Sequence, residues 1–339
     1  MRAAIFRDGE IGVGEVPEPR PIAGQVLVKT LACGICGSDL HAAKHAPQMV
    51  AMSKRIPGRV PMDLSRDIVF GHEFCCEVLE YGPDTERKLK PGTRCCAMPV
   101  MLRAEGPMTI GYSNDYPGGF AERMVVSAPL LLEVPNGLST DHAALTEPLA
   151  VGIQAVEKAA LSGEEAALVV GCGPVGLAAI VGLRLKGLHP IVAADFSPKR
   201  RELAVKMGAD IVVDPARESP YARLAPGKRA VIFECVGVPG LIQQIFEAAP
   251  RDARVVVAGV CMEQDRIEPL FAILKELNLQ FVLGYTPEEF GRSLRLLSEG
   301  AADAEALITG KVGLDGVKAA FAELANPEQH TKILVEPWR

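Results

Sequence analysis

The sequence predicts an α/β protein of two domains, in which an irregular β-rich domain accompanies a doubly wound parallel sheet. Two observations favour this class. The chain has 339 residues, which is more than one compact core usually accommodates. Its pattern also changes along the chain, because short strands broken by proline and glycine give way near Ala167 to apolar strands that alternate with helical stretches.

The first part of the chain, residues 1 to about 130, is predicted to consist of short strands. Examples are Ile11–Val16, Gln25–Leu31 and Phe120–Val126. Prolines and glycines between residues 17 and 24 separate the first two of these apolar stretches. The pattern is typical of an irregular β-rich domain.

The second part alternates strands with helices. A helix is predicted at Ala143–Leu161, and the strands after it are continuous apolar runs that suit a parallel sheet covered on both faces. The predicted strands are Ala167–Gly171, Pro190–Asp195, Ile211–Val213, Ala230–Cys235, Arg254–Val260 and Gln280–Leu283. We expect residues 150–285 to form the doubly wound domain. The tail contains two predicted helices and a last strand at Lys332–Val335. We expect it to return to the first domain, which then comprises residues 1–149 and 286–339.

The overall composition argues against several classes of protein. The net charge of −6 disfavours a surface for nucleic acid or anionic lipid, which needs a basic patch. No apolar run approaches the roughly 18 residues of a membrane span, and the N-terminal residues lack the apolar core of a signal peptide. Nine cysteines, an odd number, lead us to expect reduced thiols and metal ligands in a cytoplasmic protein.

A glycine-rich turn predicts a dinucleotide site. Gly-Cys-Gly-Pro-Val-Gly at 171–176 matches the G-x-G-x-x-G pattern, follows an apolar strand and opens a helix. The glycines let the backbone approach a pyrophosphate, and the helix N-terminus offers free N–H donors. The expected cofactor-binding residues of this turn are Gly171, Gly173, Pro174, Val175 and Gly176.

Asp195 ends the next predicted strand, 19 residues after Gly176, near the spacing of about 20 that this fingerprint shows. Its carboxylate would accept hydrogen bonds from the adenosine ribose and repel a 2′-phosphate, which favours NAD over NADP. Lys199 and Arg200 lie close by and weaken this preference, so NADP is not excluded, and Arg200 is a further candidate for cofactor binding. The alternative is that Asp195 only caps the following helix.

Possible metal ligands occur in separate stretches of the chain. Cys36 supplies a thiolate and His72 an imidazole, and a catalytic zinc needs one more protein ligand with a fourth position left open. Glu73 and Glu147 are both candidates for this third ligand. A second bound carboxylate would make the site negative and weaken its Lewis acidity, so we expect one glutamate to bind at a time. Asp39 is the expected partner that fixes the tautomer of His72.

The cysteines leave other uses open. Cys33 and Cys36 could form a redox pair or half of a structural zinc site, which needs four enclosing ligands. The adjacent cysteines at 75–76 and 95–96 lie on predicted strands, where neighbouring side chains point to opposite faces. Each pair can therefore offer at most one thiolate to a given site. We interpret the cysteines at 75–76, 95–96, 235 and 261 as core residues.

Together these motifs resemble the zinc-dependent medium-chain dehydrogenase/reductase family, in its alcohol and polyol dehydrogenase branch. The resemblance covers nearly the whole chain. It rests on Cys-Gly-Ile-Cys-Gly-Ser-Asp-Leu-His at 33–41, Gly-His-Glu at 71–73, Gly-Gly-Phe-Ala-Glu at 118–122, Glu-Pro-Leu-Ala-Val at 147–151 and the glycine turn at 171–176. It implies a GroES-like catalytic domain, a Rossmann coenzyme domain and a cleft between them for zinc and nicotinamide.

The resemblance also assigns roles to residues. The implied zinc ligands are Cys36, His72 and Glu73 or Glu147. Ser38 takes the place of the residue that hydrogen-bonds the substrate oxygen. His41 takes the place of the histidine that relays the proton to solvent through the cofactor ribose, with an ordinary surface histidine as the alternative.

The chain departs from the family pattern in two places. Many relatives carry a structural zinc in a lobe of four closely spaced cysteines, but no cysteine lies between Cys96 and Cys172. We therefore expect one catalytic zinc and no structural zinc. The segment from Lys44 to Phe70 is longer than is typical, and we expect it to shape or cover the substrate entrance. The alternative is a solvent loop or a subunit contact.

The predicted function is reversible, zinc-dependent oxidation of a secondary alcohol or polyol to the ketone, with hydride transfer to NAD. Alternatives with the same chemistry are threonine (amino-alcohol) and sugar dehydrogenases. A nucleotide-binding protein without turnover is a further alternative, disfavoured by the complete set of site residues. The expected partners are a small alcohol or ketone and further copies of the chain in a homodimer or homotetramer.

Overall fold

The structure is a computed structural model that describes residues 1–339. Its strands are β1 (Arg2–Arg7), β2 (Glu10–Glu15), β3 (Gln25–Gly34), β4 (Glu73–Tyr81), β5 (Arg94–Ala97), β6 (Val100–Met101), β7 (Met108–Thr109), β8 (Arg123–Ser127), β9 (Leu131–Glu133), β10 (Ala166–Val170), β11 (Ile191–Ala194), β12 (Ile211–Val213), β13 (Ala230–Glu234), β14 (Arg254–Val257), β15 (Asn278–Phe281), β16 (Ile308–Val312) and β17 (Lys332–Val335). Its helices are α1 (Gly37–Lys44), α2 (Ala46–Ser53), α3 (Thr140–Ala144), α4 (Thr146–Lys158), α5 (Pro174–Leu185), α6 (Pro198–Met207), α7 (Leu241–Ala248), α8 (Pro269–Leu274), α9 (Pro287–Ser298), α10 (Ala304–Leu307) and α11 (Val317–Leu324). No helix combines the length and the apolar character that crossing a bilayer requires.

The chain forms two compact units. The first unit contains Met1–Glu147, Leu294–Glu299 and Ile308–Arg339, and the second contains Pro148–Ser293 and Gly300–Leu307. The domain boundaries given above from the sequence stay a prediction.

A seven-stranded sheet forms the centre of the first unit. Its strand order is β16-β17-β3-β4-β5-β9, and β8 pairs with β3. β3 and β4 run antiparallel with Gly34 opposite Glu73. On its other edge β3 pairs with the last strand, β17, where Leu334 lies opposite Gly34. The end of β3, the start of β4 and the C-terminal strand therefore meet around Gly34.

Aromatic side chains fill the core beside this sheet. Phe6, Phe70 and Phe120 are each at most 2% exposed. The rings of Phe6 and Phe70 lie 5.1 Å apart, a separation typical of paired aromatic rings. Each such side chain contributes roughly 1.5–3 kcal/mol of burial free energy. This packing supports the backbone at Phe70, two residues before His72.

A six-stranded parallel sheet forms the centre of the second unit. Its strand order is β12-β11-β10-β13-β14-β15. Leu168, Val192, Ile232 and Val255 of its inner strands are completely buried, which is why these strands read as continuous apolar runs. The strand order reverses between β10 and β13, the point where such sheets bind ligands. This arrangement confirms the predicted doubly wound fold.

The predicted helix at Ala143–Leu161 is two helices, α3 and α4. The chain leaves helical geometry at Leu145, and the Thr146 hydroxyl donates a 2.7 Å hydrogen bond to the carbonyl of Ala143. The threonine side chain thus satisfies a carbonyl at the end of α3. The second helix starts at Thr146 and carries Glu147 in its first turn.

The long segment between Lys44 and Phe70 is partly folded onto the first unit. It begins with α2, whose Met49 and Val50 pack against the core, and Met62 is 6% exposed. Residues 54–60 are exposed. The expected role of the segment at the substrate entrance stays a prediction.

Candidate active site

Cys36 lies at the N-cap of α1, and local hydrogen bonds hold it there. Its backbone N–H donates to Asp39 Oδ2 at 3.0 Å, and the Asp39 N–H donates to the Cys36 carbonyl at 3.0 Å. An acidic residue at the third helical position commonly reaches back to the N-cap in this way. The spacing Cys-Gly-Ser-Asp therefore fixes the backbone of Cys36 and leaves Oδ1 of Asp39 available for other contacts.

His72 lies directly before β4 and is 7% exposed. Its Nδ1 is 3.2 Å from Asp39 Oδ1, although the ring nitrogen is not aimed well enough for a regular hydrogen bond. Asp39 is fully buried. Because Nδ1 faces this carboxylate, Nε2 is the nitrogen that is left to bind a metal.

The structure brings Cys36, His72 and Glu73 together. Their candidate ligand atoms, one per residue, all lie within 4.8 Å of one another. Thiolate, imidazole and carboxylate are the ligand types that zinc prefers. The donor set therefore fits a zinc ion with one neutralising thiolate and one neutralising carboxylate.

Lys332 pairs with Glu73, and the sequence did not predict this contact. Lys332 Nζ donates to Glu73 Oε1 at 2.8 Å, to Oε2 at 2.6 Å and to the carbonyl of Ile35 at 3.0 Å. The lysine and glutamate side chains are 1% and 0% exposed. A carboxylate offers about four lone-pair sites, so Glu73 can accept from Lys332 and still bind a metal.

Gly34 leaves room for the Glu73 carboxylate. A Cβ atom built on Gly34 would lie 2.1 Å from Glu73 Oε2. No side chain fits there unless the carboxylate moves away from Lys332. The glycine across the sheet thus sets the position of the candidate ligand.

Glu147 lies in the first turn of α4 and is 8% exposed. Burial lowers the pKa of Lys332, but the negative charges of Glu73, Cys36 and Glu147 raise this pKa by more. Glu147 is therefore close enough to act on Lys332 electrostatically, while the cluster of mutually close ligand atoms contains Glu73 instead.

Without a metal, the pKa values of the Cys36 thiol and the His72 imidazole are both raised. Burial raises the pKa of the Cys36 thiol, and the Glu73 carboxylate raises it further. Burial lowers the pKa of His72, but Asp39 and Cys36 outweigh this effect and hold the pKa well above its ordinary value. A divalent cation would supply the positive charge that releases both protons.

Ser38 and Tyr112 lie beside His72. Ser38 Oγ is 3.4 Å from His72 Nε2, and the Tyr112 hydroxyl is 3.0 Å from both Ser38 Oγ and Asp39 Oδ1. The ring of Tyr112 packs 5.4 Å from that of His72. Burial and the Asp39 carboxylate raise the pKa of Tyr112 well above its ordinary value, so the phenol keeps its proton. His41 lies one turn along α1, with its ring 6.3 Å from that of His45.

No sequence motif marked Tyr112. It lies in Gly-Tyr-Ser-Asn-Asp at 111–115, far from Cys36 in the chain, and glycine, serine, asparagine and aspartate are ordinary turn and loop residues. Only the folded structure brings its hydroxyl to Ser38 and Asp39.

The glycine turn of the second unit has the geometry of a phosphate-binding loop. Gly171 has φ +90°, and a Cβ on Gly176 would lie 1.9 Å from the Gly171 carbonyl oxygen. A Cβ on Gly173 would meet no atom within 4 Å, so this residue borders open space. Pro174 starts α5, and the N–H groups of Val175 and Gly176 lie in its first turn, where helices leave donors free. The turn therefore fits the pyrophosphate of a dinucleotide.

Asp195 lies next to this turn. Its Oδ2 accepts from the N–H of Cys172 at 2.8 Å, and its Oδ1 accepts from the N–H of Ser197 at 2.8 Å. Ser197 rather than Asp195 caps α6, by accepting from the N–H of Arg200. Arg200 Nη1 lies 4.0 Å from Asp195 Oδ2, and its buried Nε has no hydrogen-bond partner. An acceptor and a donor for cofactor hydroxyl or phosphate groups thus lie side by side.

Four of the remaining cysteines lie in the core of the first unit. All nine are free, and Cys75 and Cys76 on β4 pair in register with Cys96 and Cys95 on β5. These four side chains are at most 1% exposed, as expected of core residues. Two others expected in the core, at positions 235 and 261, are partly exposed instead. Both follow strand ends of the second unit, where the chain leaves the core.

Comparison with known proteins agrees with the fold. Residues 22–136 match the model of the alcohol dehydrogenase GroES-like domain, and residues 174–299 match that of the zinc-binding dehydrogenase domain. The (R,R)-butanediol dehydrogenase of Bacillus subtilis (strain 168) is 32% identical over 99% of this chain and 100% of its own length. The sorbitol dehydrogenase of Bos taurus is 27% identical over 95% and 92%, respectively. The L-threonine 3-dehydrogenase of Pyrococcus horikoshii is 30% identical over 91% and 90%.

Solved structures show the same architecture. The crystal structure of 2R,3R-butanediol dehydrogenase from Bacillus subtilis has a TM-score of 0.82 and 30% identity, with 99% of each chain covered. A protein described as a zinc-binding dehydrogenase, from Sinorhizobium meliloti 1021 and bound to NADP, has a TM-score of 0.82 and 28% identity, again with 99% of each chain covered. The predicted GroES-like and Rossmann folds are thereby confirmed. This chain belongs to the zinc-dependent medium-chain dehydrogenases of the alcohol and polyol branch, which act on alcohols with zinc and a nicotinamide cofactor.

Proposed function

We propose that this enzyme interconverts a vicinal diol and its hydroxyketone, with NAD as the hydride carrier. The observation that carries the proposal is the buried cluster of Cys36, His72 and Glu73 with the Ser38 hydroxyl beside it. The names of the butanediol and sorbitol dehydrogenase relatives support the substrate class, because both substrates carry neighbouring hydroxyl groups.

One zinc ion per chain fits this site, held by Cys36, His72 and either Glu73 or Glu147. When bound, zinc supplies a Lewis acid that lowers the pKa of an alcohol. The protein's own contribution is to hold the ligands in place. Asp39 orients His72, Gly34 leaves space for Glu73, and Lys332 compensates the charge of that carboxylate.

Ser38 and His41 transfer the hydroxyl proton of the alcohol. Ser38 Oγ lies close enough to the ligand cluster to hydrogen-bond a hydroxyl group placed there. It accepts the hydrogen of the alcohol, and His41 on the same helix, α1, passes the proton onward to solvent. The ring of Tyr112 packs against His72, and the ring of Phe70 packs against Tyr112, so these rings exclude water from that face of His72.

The cofactor that we propose is NAD. When bound, its nicotinamide supplies the hydride chemistry, while the protein supplies binding and orientation. Each Asp195 oxygen accepts one backbone hydrogen bond and keeps a second lone pair for a ribose hydroxyl. The carboxylate would also repel a 2′-phosphate, and this repulsion acts against the attraction of the neighbouring Arg200.

We also propose that the enzyme is a cytoplasmic homodimer. Strand β15 forms one edge of the second sheet, so one row of its backbone groups has no strand partner. Apolar side chains beside this edge are largely exposed: Leu270, Ile273, Leu274, Phe281 and Leu283. Pairing of this edge with that of a second copy would cover both features. The nine free cysteines agree with a reducing compartment.

A second candidate function is oxidation of L-threonine. The support is the threonine 3-dehydrogenase relative, at 30% identity over 91% of the chain. The metal site and the hydride chemistry would be unchanged, and only the groups that bind the rest of the substrate would differ.

The test uses the zinc-loaded enzyme and NADH absorbance. The panel contains (2R,3R)-butanediol, sorbitol and L-threonine, each with NAD and with NADP. We expect the highest kcat/KM with butanediol and NAD. Highest activity with threonine would replace the first proposal by the second.

Two cysteine variants test the metal site. Cys36→Ser should lose both zinc and turnover, whereas Cys33→Ser, three residues away and outside the ligand cluster, should keep both. Normal turnover by Cys36→Ser with its zinc retained would refute the ligand assignment.

A further inference from the structure

A buried carboxylate ends strand β13 of the second unit. Glu234 is 1% exposed, and its Oε1 accepts from the N–H groups of Val236 at 2.7 Å and Gly237 at 2.8 Å. Burial raises the pKa of this carboxyl group, although the N–H groups of Gly237, Val236 and Gly259 act in the opposite direction. The side chain therefore holds the β13 loop, residues 235–240, which follows its own strand.

The same carboxylate also meets the β14 loop, residues 258–268. A Cβ atom built on Gly259 would lie 2.6 Å from Glu234 Oε2 and 2.3 Å from the Gly237 nitrogen. Gly237 has φ +74°, and a Cβ atom on it would lie 2.5 Å from the Val260 nitrogen. The main chains of the two loops come this close because neither residue carries a side chain.

Asp265 supplies a second link between the two loops. It belongs to the β14 loop, and its Oδ1 accepts from the N–H groups of Gly240 and Arg266, both at 2.8 Å. Gly240 is the last residue before α7, so this bond reaches the far end of the β13 loop. Two carboxylates, one at each end of the β13 loop, thus join it to the β14 loop.

The joined loops lie beside the glycine turn. A Cβ atom on Gly171 would lie 2.4 Å from Val236 Cγ2. Strand β10, which leads into the turn, has β13 and then β14 on one side, and on the other side β11, which Asp195 follows. A dinucleotide with its adenosine ribose at Asp195 and its pyrophosphate at the turn would therefore extend its nicotinamide half over the ends of β13 and β14.

These loops present apolar side chains to solvent. Val236, Val238 and Val260 are 39%, 44% and 40% exposed. A group of exposed apolar side chains next to a polar turn is typical of a binding surface. The nicotinamide half of the cofactor is the group that would cover them.

We propose that Glu234 is a positioning residue for the cofactor, which joins the β13 and β14 loops and thereby holds the surface for the nicotinamide half. The proposal rests on the nicotinamide dinucleotide proposed above. It concerns residues of the second unit alone, so it leaves the metal ligands and the proton transfer by Ser38 and His41 unchanged.

The experiment compares the zinc-loaded wild type with Glu234→Gln in titration calorimetry. The amide oxygen of glutamine can still accept from Val236 and Gly237, but its NH2 group then faces the main chain of Gly259, and the link to the β14 loop is lost. We expect the Kd of NADH to rise about tenfold, the effect of one hydrogen bond to a charged group. The Kd of ADP, which has the adenosine and the pyrophosphate but no nicotinamide half, should stay unchanged.

A matched control is available at the opposite end of the sheet. Glu165, directly before β10, is 7% exposed and accepts from the N–H groups of Ser162 at 2.9 Å and Gly163 at 3.0 Å. Glu165→Gln alters a comparable buried carboxylate and should leave both Kd values unchanged. An unchanged Kd of NADH in Glu234→Gln, or an equal rise for NADH and ADP, would overturn the proposal.

A second variant keeps the proposal testable if Glu234→Gln does not fold. Asp265→Ala removes the other link, from a side chain that is partly exposed, and should raise the Kd of NADH severalfold without changing that of ADP. An unchanged Kd of NADH in this variant would refute the role of the joined loops. Tighter binding of NADPH than of NADH by the wild type would refute the choice of NAD alone, and the same comparison of variants would then be made with NADPH.

Discussion

Replacing Lys332 by methionine tests how the site balances its buried charges. Methionine has a similar length but carries no charge and donates no hydrogen bond. In the variant without metal, the Glu73 carboxylate would be buried without its cationic partner. With zinc bound, the metal would compensate the same charge. The stability loss should therefore depend on the metal.

The magnitude follows from the contacts of Lys332. Its Nζ makes two hydrogen bonds to Glu73 and one to the Ile35 carbonyl, at 2.6–3.0 Å, and both side chains of the ion pair are at most 1% exposed. Breaking a buried pair by removing one partner costs about 3–5 kcal/mol, which is the loss that we expect without metal. With zinc, the main remaining cost is the unpaired Ile35 carbonyl, about 1–3 kcal/mol.

The assay is urea unfolding followed by tryptophan fluorescence, with and without a chelator. The chain has one tryptophan, Trp338, which belongs to the first unit and donates to the Thr30 carbonyl at 3.0 Å. Its signal therefore reports on the unit that contains Lys332.

A double variant provides the control. Lys332→Met combined with Glu73→Gln removes both charges and should recover most of the stability lost by the metal-free single variant. For the metal-free single variant, the loss of a buried ion-pair partner predicts a stability loss of several kcal/mol. A measured loss below about 1 kcal/mol would show that Glu73 is not left as an uncompensated charge. Equal losses with and without zinc would show that the metal does not act on this carboxylate.

Other parts of the molecule allow three further predictions. In Gly34→Ala the added methyl group pushes against the Glu73 carboxylate. Zinc affinity, measured by competition with a chelator, should fall at least about tenfold. An unchanged affinity would argue against Glu73 as a ligand. Phe281→Lys puts a charge on the exposed edge strand and should turn a wild-type dimer into monomers in sedimentation velocity, whereas a persistent dimer would place the interface elsewhere. Burial raises the pKa of Tyr221 to about 12, so the folded protein keeps a proton that the unfolded chain releases above pH 10. The free energy of unfolding should therefore fall between pH 10 and 12 by up to about 2–3 kcal/mol. The measurement is the urea midpoint as a function of pH, and Tyr221→Phe should make this midpoint less dependent on pH in that range. The same pH dependence in the variant as in the wild type would contradict the role of Tyr221.

Local motifs were enough to propose most residues of the candidate site from the sequence, and the structure brings Cys36, His72 and Glu73 together. Cys36 and Asp39 lie within one helical turn, and His72 and Glu73 are neighbours, so only two short stretches had to be brought together. The glycine turn is similar, because strand, turn and helix follow one another directly in the chain. In these cases the chemistry of each residue type and its spacing are visible in the sequence itself.

The contacts that were missed are those between distant parts of the chain. Lys332 lies 259 positions from Glu73, in a short strand where a lysine normally faces solvent. Its burial depends on β17 pairing with β3, which no local pattern encodes. Tyr112 was missed because its partners, Ser38 and Asp39, lie on α1, more than 70 positions away in the chain.

The sequence predicted the type of fold, but it predicted the ends of individual helices and strands less well. The parallel sheet of the second unit was visible because strands buried on both faces form continuous apolar runs. The break between α3 and α4 depends on one side-chain hydrogen bond from Thr146, in a stretch whose composition favours a single helix. Strand β16 was missed because Ile-Thr-Gly-Lys-Val is short and half polar, and its pairing with β17 stabilises it.

The position of β17 has a consequence for synthesis of the protein. The sheet of the first unit needs residues 332–335, whereas most of that unit has been translated by residue 147. At a translation rate of 5–20 residues per second, the ribosome needs roughly 10–40 s to proceed from residue 147 to residue 335. Throughout this interval the end of β3 at Cys33 and Gly34 lacks its β17 partner, and Glu73 lacks Lys332. Residues that are made late thus complete the unit whose larger part was made first.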